Sequence, residues 1–110
     1  MKKILFIGGK GYLGSHLKKK IKNFNIINPG KKKLNILNKS QLNKFIDDEV
    51  DFIINLSGQI GSNANKINIL GNKNILYILK KKKLSPILIF FSSTLVLNYK
   101  KNKLKKIKDI

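Results

Sequence analysis

Apolar residues along the chain fall into short continuous runs separated by longer periodic stretches. The runs Ile4–Ile7, Phe52–Leu56 and Ile87–Phe91 contain almost no polar alternation, which is typical of parallel strands covered on both faces. Two shorter apolar segments lie between the first and second of these runs. The pattern therefore predicts strands near residues 2 to 7, 25 to 28, 34 to 37, 51 to 56 and 87 to 92.

Between these runs, apolar residues recur every three or four positions, as on one face of a helix. The first helix follows the glycines near residue 11, the second is capped by Asn38, and the third begins near Ala64 and ends in Lys80–Lys83. Their apolar stripes are Leu13, Leu17, Ile21 and Phe24; Leu42, Phe45 and Ile46; and Ile67, Leu70, Gly71, Ile75, Ile78 and Leu79. Strands alternating with helices predict an α/β fold with an open parallel sheet.

The junction of the first strand and first helix is rich in glycine, with Gly8, Gly11 and Gly14 at three-residue steps. At such a turn, side chains would block a phosphate from the backbone N–H groups of the helix N-terminus. The segment therefore predicts a cradle for a nucleotide diphosphate, and a plain tight turn is the alternative.

Composition limits the class of protein. A chain of 110 residues without cysteine predicts one domain and no thiol chemistry. The N-terminal apolar run is too short for a signal peptide or a membrane span, so we expect a soluble cytoplasmic protein. From residue 99 the chain is lysine-rich and poor in apolar residues, which predicts a domain over 1–98 and a tail over 99–110.

The net charge of +19 does not by itself indicate a nucleic-acid partner. All 24 basic residues are lysine, and lysine, asparagine and isoleucine, which have AT-rich codons, make up more than half of the chain. Arginine, the usual residue for bidentate contacts with bases and phosphates, is absent from the sequence. This composition favours a solvated lysine surface over a nucleic-acid interface. The acidic cluster Asp47, Asp48, Glu49 and Asp51 lies on a loop and favours a solvated surface over a metal site.

Four segments in order, 7–17, 54–58, 68–76 and 91–96, resemble the nucleotide-sugar epimerase, dehydratase and reductase branch of the short-chain dehydrogenase/reductase family. The resemblance spans residues 2 to 97 and implies a Rossmann-like, doubly wound sheet that binds NAD or NADP. Gly9, Gly11 and Gly14 also satisfy the tighter glycine spacing of classical dehydrogenases. The cofactor-binding residues implied by the resemblance are Gly8, Gly11, Tyr12, Leu13, Gly14, Asn28, Asn35, Ile36, Leu56, Ser57, Gly58, Asn68 and Ser92.

The chain departs from the family pattern beside the cofactor. Where NAD-binding relatives usually carry an acid for the ribose hydroxyls, this chain has Asn28, with Lys31–Lys33 close by. Asparagine does not repel a 2′-phosphate, so the sequence is compatible with either NAD or NADP as the cofactor. Asn35 replaces a second acid, which borders the adenine in relatives, and Leu97-Asn98 stands where they have Tyr-Gly.

Family chemistry transfers hydride between a sugar carbon and nicotinamide, using a serine or threonine and a Tyr-x-x-x-Lys pair on a later helix. Ser93 is the predicted catalytic residue, with Ser92 or Thr94 as the alternative if the register shifts by one. Tyr99 and Lys103 have the right spacing but follow Ser93 too closely. The only histidine, His16, is expected at the surface or against the sheet, without a role as a base.

The expected function is therefore the cofactor-binding part of an epimerase/dehydratase-like protein, inactive alone as a truncated or split gene product. A non-catalytic NAD(P)-binding regulatory domain and a lysine-rich nucleic-acid-binding protein are the alternatives. We expect the helix that would cover one side of the last strand to lie beyond residue 110. Either Ile87, Ile89 and Phe91 or Leu88 and Phe90 should then be exposed, favouring self-association or docking of a second polypeptide.

Overall fold

The computed structural model describes residues 1–57 and 64–90. These residues form an open, fully parallel four-stranded sheet in the order β2-β1-β3-β4. The strands are β1 (Lys3–Ile7), β2 (Asn25–Ile27), β3 (Phe52–Asn55) and β4 (Ile87–Phe90), and the helices are α1 (Tyr12–Lys20), α2 (Lys39–Phe45) and α3 (Ala64–Lys82). The predicted α/β class with a parallel, Rossmann-like sheet is confirmed.

Alternate residues of the central strand β1 point to opposite faces of the sheet, and each face has its own core. On one face, Ile4 and Phe6 of β1 pack with Ile54 of β3. Leu17 of α1 and Ile21, just beyond the end of α1, cover this cluster. The other face buries a larger cluster from β1, β3, α2, α3 and the loops on either side of α2. Its buried members are Leu5, Ile7, Leu34, Ile36, Leu42, Ile46, Val50, Ile53, Ile75, Ile78 and Leu79. Helices therefore cover both faces of the sheet, as a doubly wound fold requires.

The predicted strand at 34–37 is wrong. The side chain of Asn35 accepts a hydrogen bond of 2.9 Å from the N–H of Leu37, and the N–H of Asn35 donates to Gln41 Oε1 at 2.7 Å. These side-chain bonds satisfy the backbone groups that a strand would pair with its neighbour. Leu34 and Ile36 are nevertheless buried, since they pack into the larger core. The described part of the sheet therefore has four strands instead of about five.

The helices follow the prediction in order and position, although Leu70, assigned to the apolar stripe of the third helix, is 40% exposed. Asn38 caps α2 by accepting a hydrogen bond from the N–H of Gln41, and α3 begins at Ala64, as expected. The stripe assigned to the first helix is only partly buried, because Leu13 is 43% exposed and Phe24 lies beyond the end of α1. Phe24 instead meets the ring of Phe52 edge-on, with 5.9 Å between the ring centroids.

The acidic cluster lies between α2 and β3, at the edge where the parallel strands begin. Asp51 Oδ2 accepts a hydrogen bond of 2.8 Å from the N–H of Lys3, and Lys3 Nζ lies 3.5 Å from Glu49 Oε2. Over residues 1–57 and 64–90, no group of His, Cys, Asp or Glu side chains is arranged to hold a metal ion. No helix in those same ranges is both long and apolar enough to cross a membrane.

Candidate functional site

Three loops meet where β1, β2 and β3 end, and the first of them depends on Gly8. The φ of Gly8 is +72°, a conformation that residues with a Cβ rarely adopt. A Cβ at this position would lie 2.9 Å from both N and Cα of Ser57. Glycine is therefore required here so that the first loop can lie directly against the end of β3.

Gly9 and Gly14 are also explained by packing within the protein. A Cβ at Gly9 would lie 2.7 Å from Phe6 Cβ and 2.6 Å from Asn28 Oδ1. A Cβ at Gly14 would lie 2.5 Å from the carbonyl carbon of Gly9. Gly9 therefore lets the loop lie against Phe6 and Asn28, and Gly14 lets α1 pack directly against Gly9.

Gly11 differs from the other glycines of the loop. It has φ −76° and ψ −173°, an extended conformation open to any residue. The nearest described atom to a Cβ at this position is Gly8 O, at 4.0 Å. Gly11 is also the N-cap of α1, where it supplies no side-chain hydrogen bond, and the first turn contains no acidic residue. The N-terminus of α1 is therefore open to an anionic ligand that approaches past Gly11.

Asn28 ties the end of β2 to the glycine loop. Its Nδ2 donates a hydrogen bond of 3.2 Å to the carbonyl of Gly9. Its Oδ1 is buried and has no hydrogen-bond partner within the described part of the chain. A buried, unsatisfied acceptor is costly, by about 1–3 kcal/mol. Asn28 Oδ1 is thus an acceptor that a ligand hydroxyl could satisfy beside the loop.

The other predicted cofactor residues occupy different environments. Tyr12 is exposed, Ile36 is buried, and Leu56 donates its N–H to Ile7 O at 2.7 Å. Both N and Oγ of Ser57 donate to Asn55 Oδ1, at 3.0 and 2.6 Å. The structure thus brings Gly8, Gly11, Gly14, Asn28 and Ser57 to one edge of the sheet, while the side chain of Asn35 is engaged in its own turn.

The positions at the far side of the predicted site are only partly described. The half-buried Asn68 accepts a hydrogen bond at its carbonyl from Asn72 Nδ2, at 2.9 Å. Gly58, Ser92 and Ser93 lie outside the described residues.

Two asparagines that the sequence analysis did not single out connect β3 to α3. Asn55 is 7% exposed, and its Nδ2 donates to Asn72 Oδ1 at 2.8 Å. Because Asn55 Oδ1 also accepts from Ser57, the side chain fixes the strand end that faces Gly8. A polar residue within the apolar run Phe52–Leu56 was the available signal.

A second Tyr-x-x-x-Lys spacing, Tyr77 and Lys81, was also missed. It lies in the later part of α3, where Tyr77 is half-exposed and the ammonium of Lys39 lies 4.4 Å from its ring centroid. This pair precedes Ser93 instead of following it and does not fit the family pattern. Tyr99 and Lys103 lie outside the described residues, whereas His16 is exposed, as expected, with its ring against that of Tyr12.

Comparison with protein families decides the classification. The model of the NAD dependent epimerase/dehydratase family matches residues 4–107. The chain belongs to this family. The resemblance inferred from the four sequence segments is confirmed, and its match covers the glycine loop, the end of β3 and all of α3. Comparison with curated proteins gave no match.

Solved structures show the same fold. The dTDP-4-dehydrorhamnose reductase from Bacillus anthracis in complex with NADP is 21% identical with a TM-score of 0.67, covering 80% of this chain and 35% of that chain. RMD from Pseudomonas aeruginosa complexed with NADPH is 23% identical with a TM-score of 0.69, covering 84% and 35%. UDP-glucose-4-epimerase from Stenotrophomonas maltophila with bound NAD is 16% identical with a TM-score of 0.65, covering 87% and 38%. The family member described here thus spans little more than a third of each of these chains.

Proposed function

We propose that this chain is the NAD(P)-binding part of a nucleotide-sugar epimerase, dehydratase or reductase. The observation that carries the proposal is Gly11, a glycine that neither its φ nor its described neighbours require. A diphosphate at the N-terminus of α1 accounts for it, since a side chain there would stand between the phosphates and the helix N–H groups. Family membership and the NAD- or NADP-bound relatives support the same ligand.

The residues at this edge would share the work of holding the dinucleotide. The N–H groups of Tyr12 and Leu13, in the first turn of α1, would bind the diphosphate. Asn28 Oδ1 would accept a hydrogen bond from a ribose hydroxyl, which would satisfy that buried atom. The adenine would lie between the Asn35-Ile36 turn and residues 56–58. Asn68 and Ser92 would line the remainder of the cofactor site, as the family pattern implies.

The bound nicotinamide would supply the hydride acceptor or donor, and Ser93 would hold the substrate oxygen. We further propose that the 110-residue chain binds cofactor without turnover. Neither Tyr-x-x-x-Lys spacing of the sequence is suitably placed after Ser93 to serve as the proton-transfer pair. Nicotinamide absorbance, followed in mixtures of the chain, cofactor and nucleotide-sugar substrates, should stay constant. Sustained turnover would contradict this part of the proposal.

The exposed side of β4 supports a partner for this domain. Ile87 and Ile89 are 57% and 39% exposed, whereas on the other side Leu88 packs against the larger core and Phe90 is 58% exposed. Phe91 lies outside the described residues. We propose that the polypeptide supplying the rest of the family's length, in the same or a second chain, covers this side. Adding that polypeptide should protect the amides of β4 from hydrogen exchange, and unchanged exchange would contradict the proposal.

The decisive test of cofactor binding is Gly11→Asp. An aspartate at the N-cap stabilises a helix by capping its N–H groups and by its charge, so we expect equal or higher thermal stability. The same carboxylate would occupy the amides and repel a diphosphate, so NADH and NADPH affinity should fall by about tenfold or more. Calorimetric titration measures the affinity.

The matched control is Asn38→Asp, which adds the same charge at the N-cap of α2. This variant should bind both cofactors as the wild type does. Unchanged binding by Gly11→Asp, or no binding of either nicotinamide dinucleotide by the wild type, would overturn the proposed function.

A further inference from the structure

Beyond Asn28, the chain turns sharply and places three lysines at the same edge as the glycine loop. Gly30 has φ +86°, and its carbonyl accepts hydrogen bonds from the N–H groups of Lys33 at 3.2 Å and Leu34 at 2.9 Å. Lys31, Lys32 and Lys33 lie on this turn with their side chains exposed. The turn fixes the backbone of the three lysines while leaving their ammonium groups available to a ligand.

A fourth cation reaches the turn from the glycine loop. A Cβ at Gly30 would lie 3.1 Å from Lys10 Cδ and 3.7 Å from Lys10 Nζ. The side chain of Lys10 therefore lies across Gly30, and its charge joins those of Lys31–Lys33. An open groove of about 720 Å³ begins beside them and is lined in part by Asn28, Pro29 and Lys33, which leaves room for a phosphate.

The acidic groups of the described residues lie at the other edge of the sheet. Asp47, Asp48, Glu49 and Asp51 precede β3, where Asp51 binds the N–H of Lys3 at the start of β1. The five residues of β1 separate the two edges by roughly 16 Å, at about 3.3 Å per residue. This distance is about twice the Debye length at physiological salt, so the carboxylates do little to offset the lysines of the turn.

In Rossmann folds, the residue at the end of the second strand contacts the adenosine ribose, and an acid there repels a 2′-phosphate. Asn28 occupies that place without a charge, and its Nδ2 is held by Gly9 O. We infer that Lys10 and the turn Lys31–Lys33 bind the 2′-phosphate of NADP(H), so that this chain prefers NADP(H) to NAD(H). The inference rests on the proposed function, because it concerns the ribose of the same bound dinucleotide.

The test compares affinities for NADPH and NADH, and for the fragments 2′,5′-ADP and 5′-AMP, by calorimetric titration. Hydrogen bonds to charged groups are strong enough that the wild type should bind NADPH and 2′,5′-ADP at least about tenfold more tightly than NADH and 5′-AMP. The triple variant K31Q/K32Q/K33Q should lose most of this preference while its NADH affinity changes by less than about twofold.

The matched control is K18Q/K19Q/K20Q, which removes the same charge from the exposed last turn of α1. This control should keep the wild-type preference, which separates a local phosphate site from the effect of net charge. Equal or tighter binding of NADH by the wild type would overturn the inference and leave the proposed function standing. An equal loss of the preference for NADPH in both triple variants would have the same meaning. Failure to bind either dinucleotide would overturn both.

Discussion

Asn74 Nδ2 donates a hydrogen bond of 3.1 Å to the carbonyl of Ile36, although 38 positions separate the two residues in sequence. In the next turn of the helix toward the N-terminus, Gly71 lies against the side chain of Ile36. Together they hold the turn at 34–37 on α3 through one backbone and one side-chain contact. The helix thereby positions the segment proposed to border the adenine.

Replacing Asn74 with alanine should loosen that turn. Loss of the hydrogen bond to Ile36 should lower the free energy of unfolding by about 1 kcal/mol. It should also speed amide exchange in the turn more than in β1. Urea denaturation and hydrogen exchange measure the two effects. Lys73→Ala, at the exposed neighbouring position, is the control and should change neither; equal effects of both variants would contradict the role of Asn74.

Gly71→Ala should be destabilising even though alanine favours helices. Its Cβ would lie 2.7 Å from Ile36 Cδ1 and 2.9 Å from Cγ1, and overpacking of this kind costs about 1–3 kcal/mol. The gain in helix propensity, about 1 kcal/mol at most, offsets only part of that cost. Urea denaturation should show a much smaller loss when the change is made in an Ile36→Ala background. Equal losses in the two backgrounds would show that Ile36 is not the obstacle.

Asn72→Ala should reveal the cost of leaving Asn55 without a partner. Asn55 is buried, and its Nδ2 donates to Asn72 Oδ1. Removing this acceptor should lower the free energy of unfolding by about 1–3 kcal/mol. In a double-mutant cycle with Asn55→Ala, the double variant should lose less stability than the sum of the losses in the two single variants. Strict additivity in urea denaturation would mean that the contact contributes nothing.

Salt should stabilise the fold in the absence of ligand. At a net charge of +19, lysines repel one another across the surface, and this repulsion opposes the compact state. Raising the ionic strength from about 10 mM to about 150 mM shortens the Debye length from roughly 30 Å to roughly 8 Å. The melting temperature should therefore rise, and rise less in K18Q/K19Q/K20Q. A melting temperature that is independent of salt would contradict this account.

The apolar pattern predicted most of the fold because burial on both faces of a parallel strand leaves a clear signal. The runs that became β1, β3 and β4, and the cap of α2 at Asn38, were all readable from local sequence. The prediction failed at 34–37 because alternating apolar residues such as Leu34 and Ile36 can be buried from a turn as well as from a strand. The deciding bond, from Asn35 N to Gln41 Oε1, depends on a side chain six positions away.

The site was predictable to a different extent. The glycine loop could be located from sequence, but its spacing did not show that Gly8, Gly9 and Gly14 are required by packing whereas Gly11 is not. That distinction needs the positions of Ser57 and Asn28, which come from distant parts of the chain. The Asn55–Asn72 contact was missed for the same reason, since hydrogen bonds between elements have no fixed spacing in sequence.

Among the described strands, β2 is the outermost on one side of the sheet; it is only three residues long and is followed by Asn28 and Pro29. A strand from another molecule that paired with the edge of β2 could form only a few backbone hydrogen bonds before it reached Pro29, which has no N–H to donate. Because β2 is short, it is a poor template for edge-to-edge strand pairing, so this protein should not form fibrils along β2 even at high concentration.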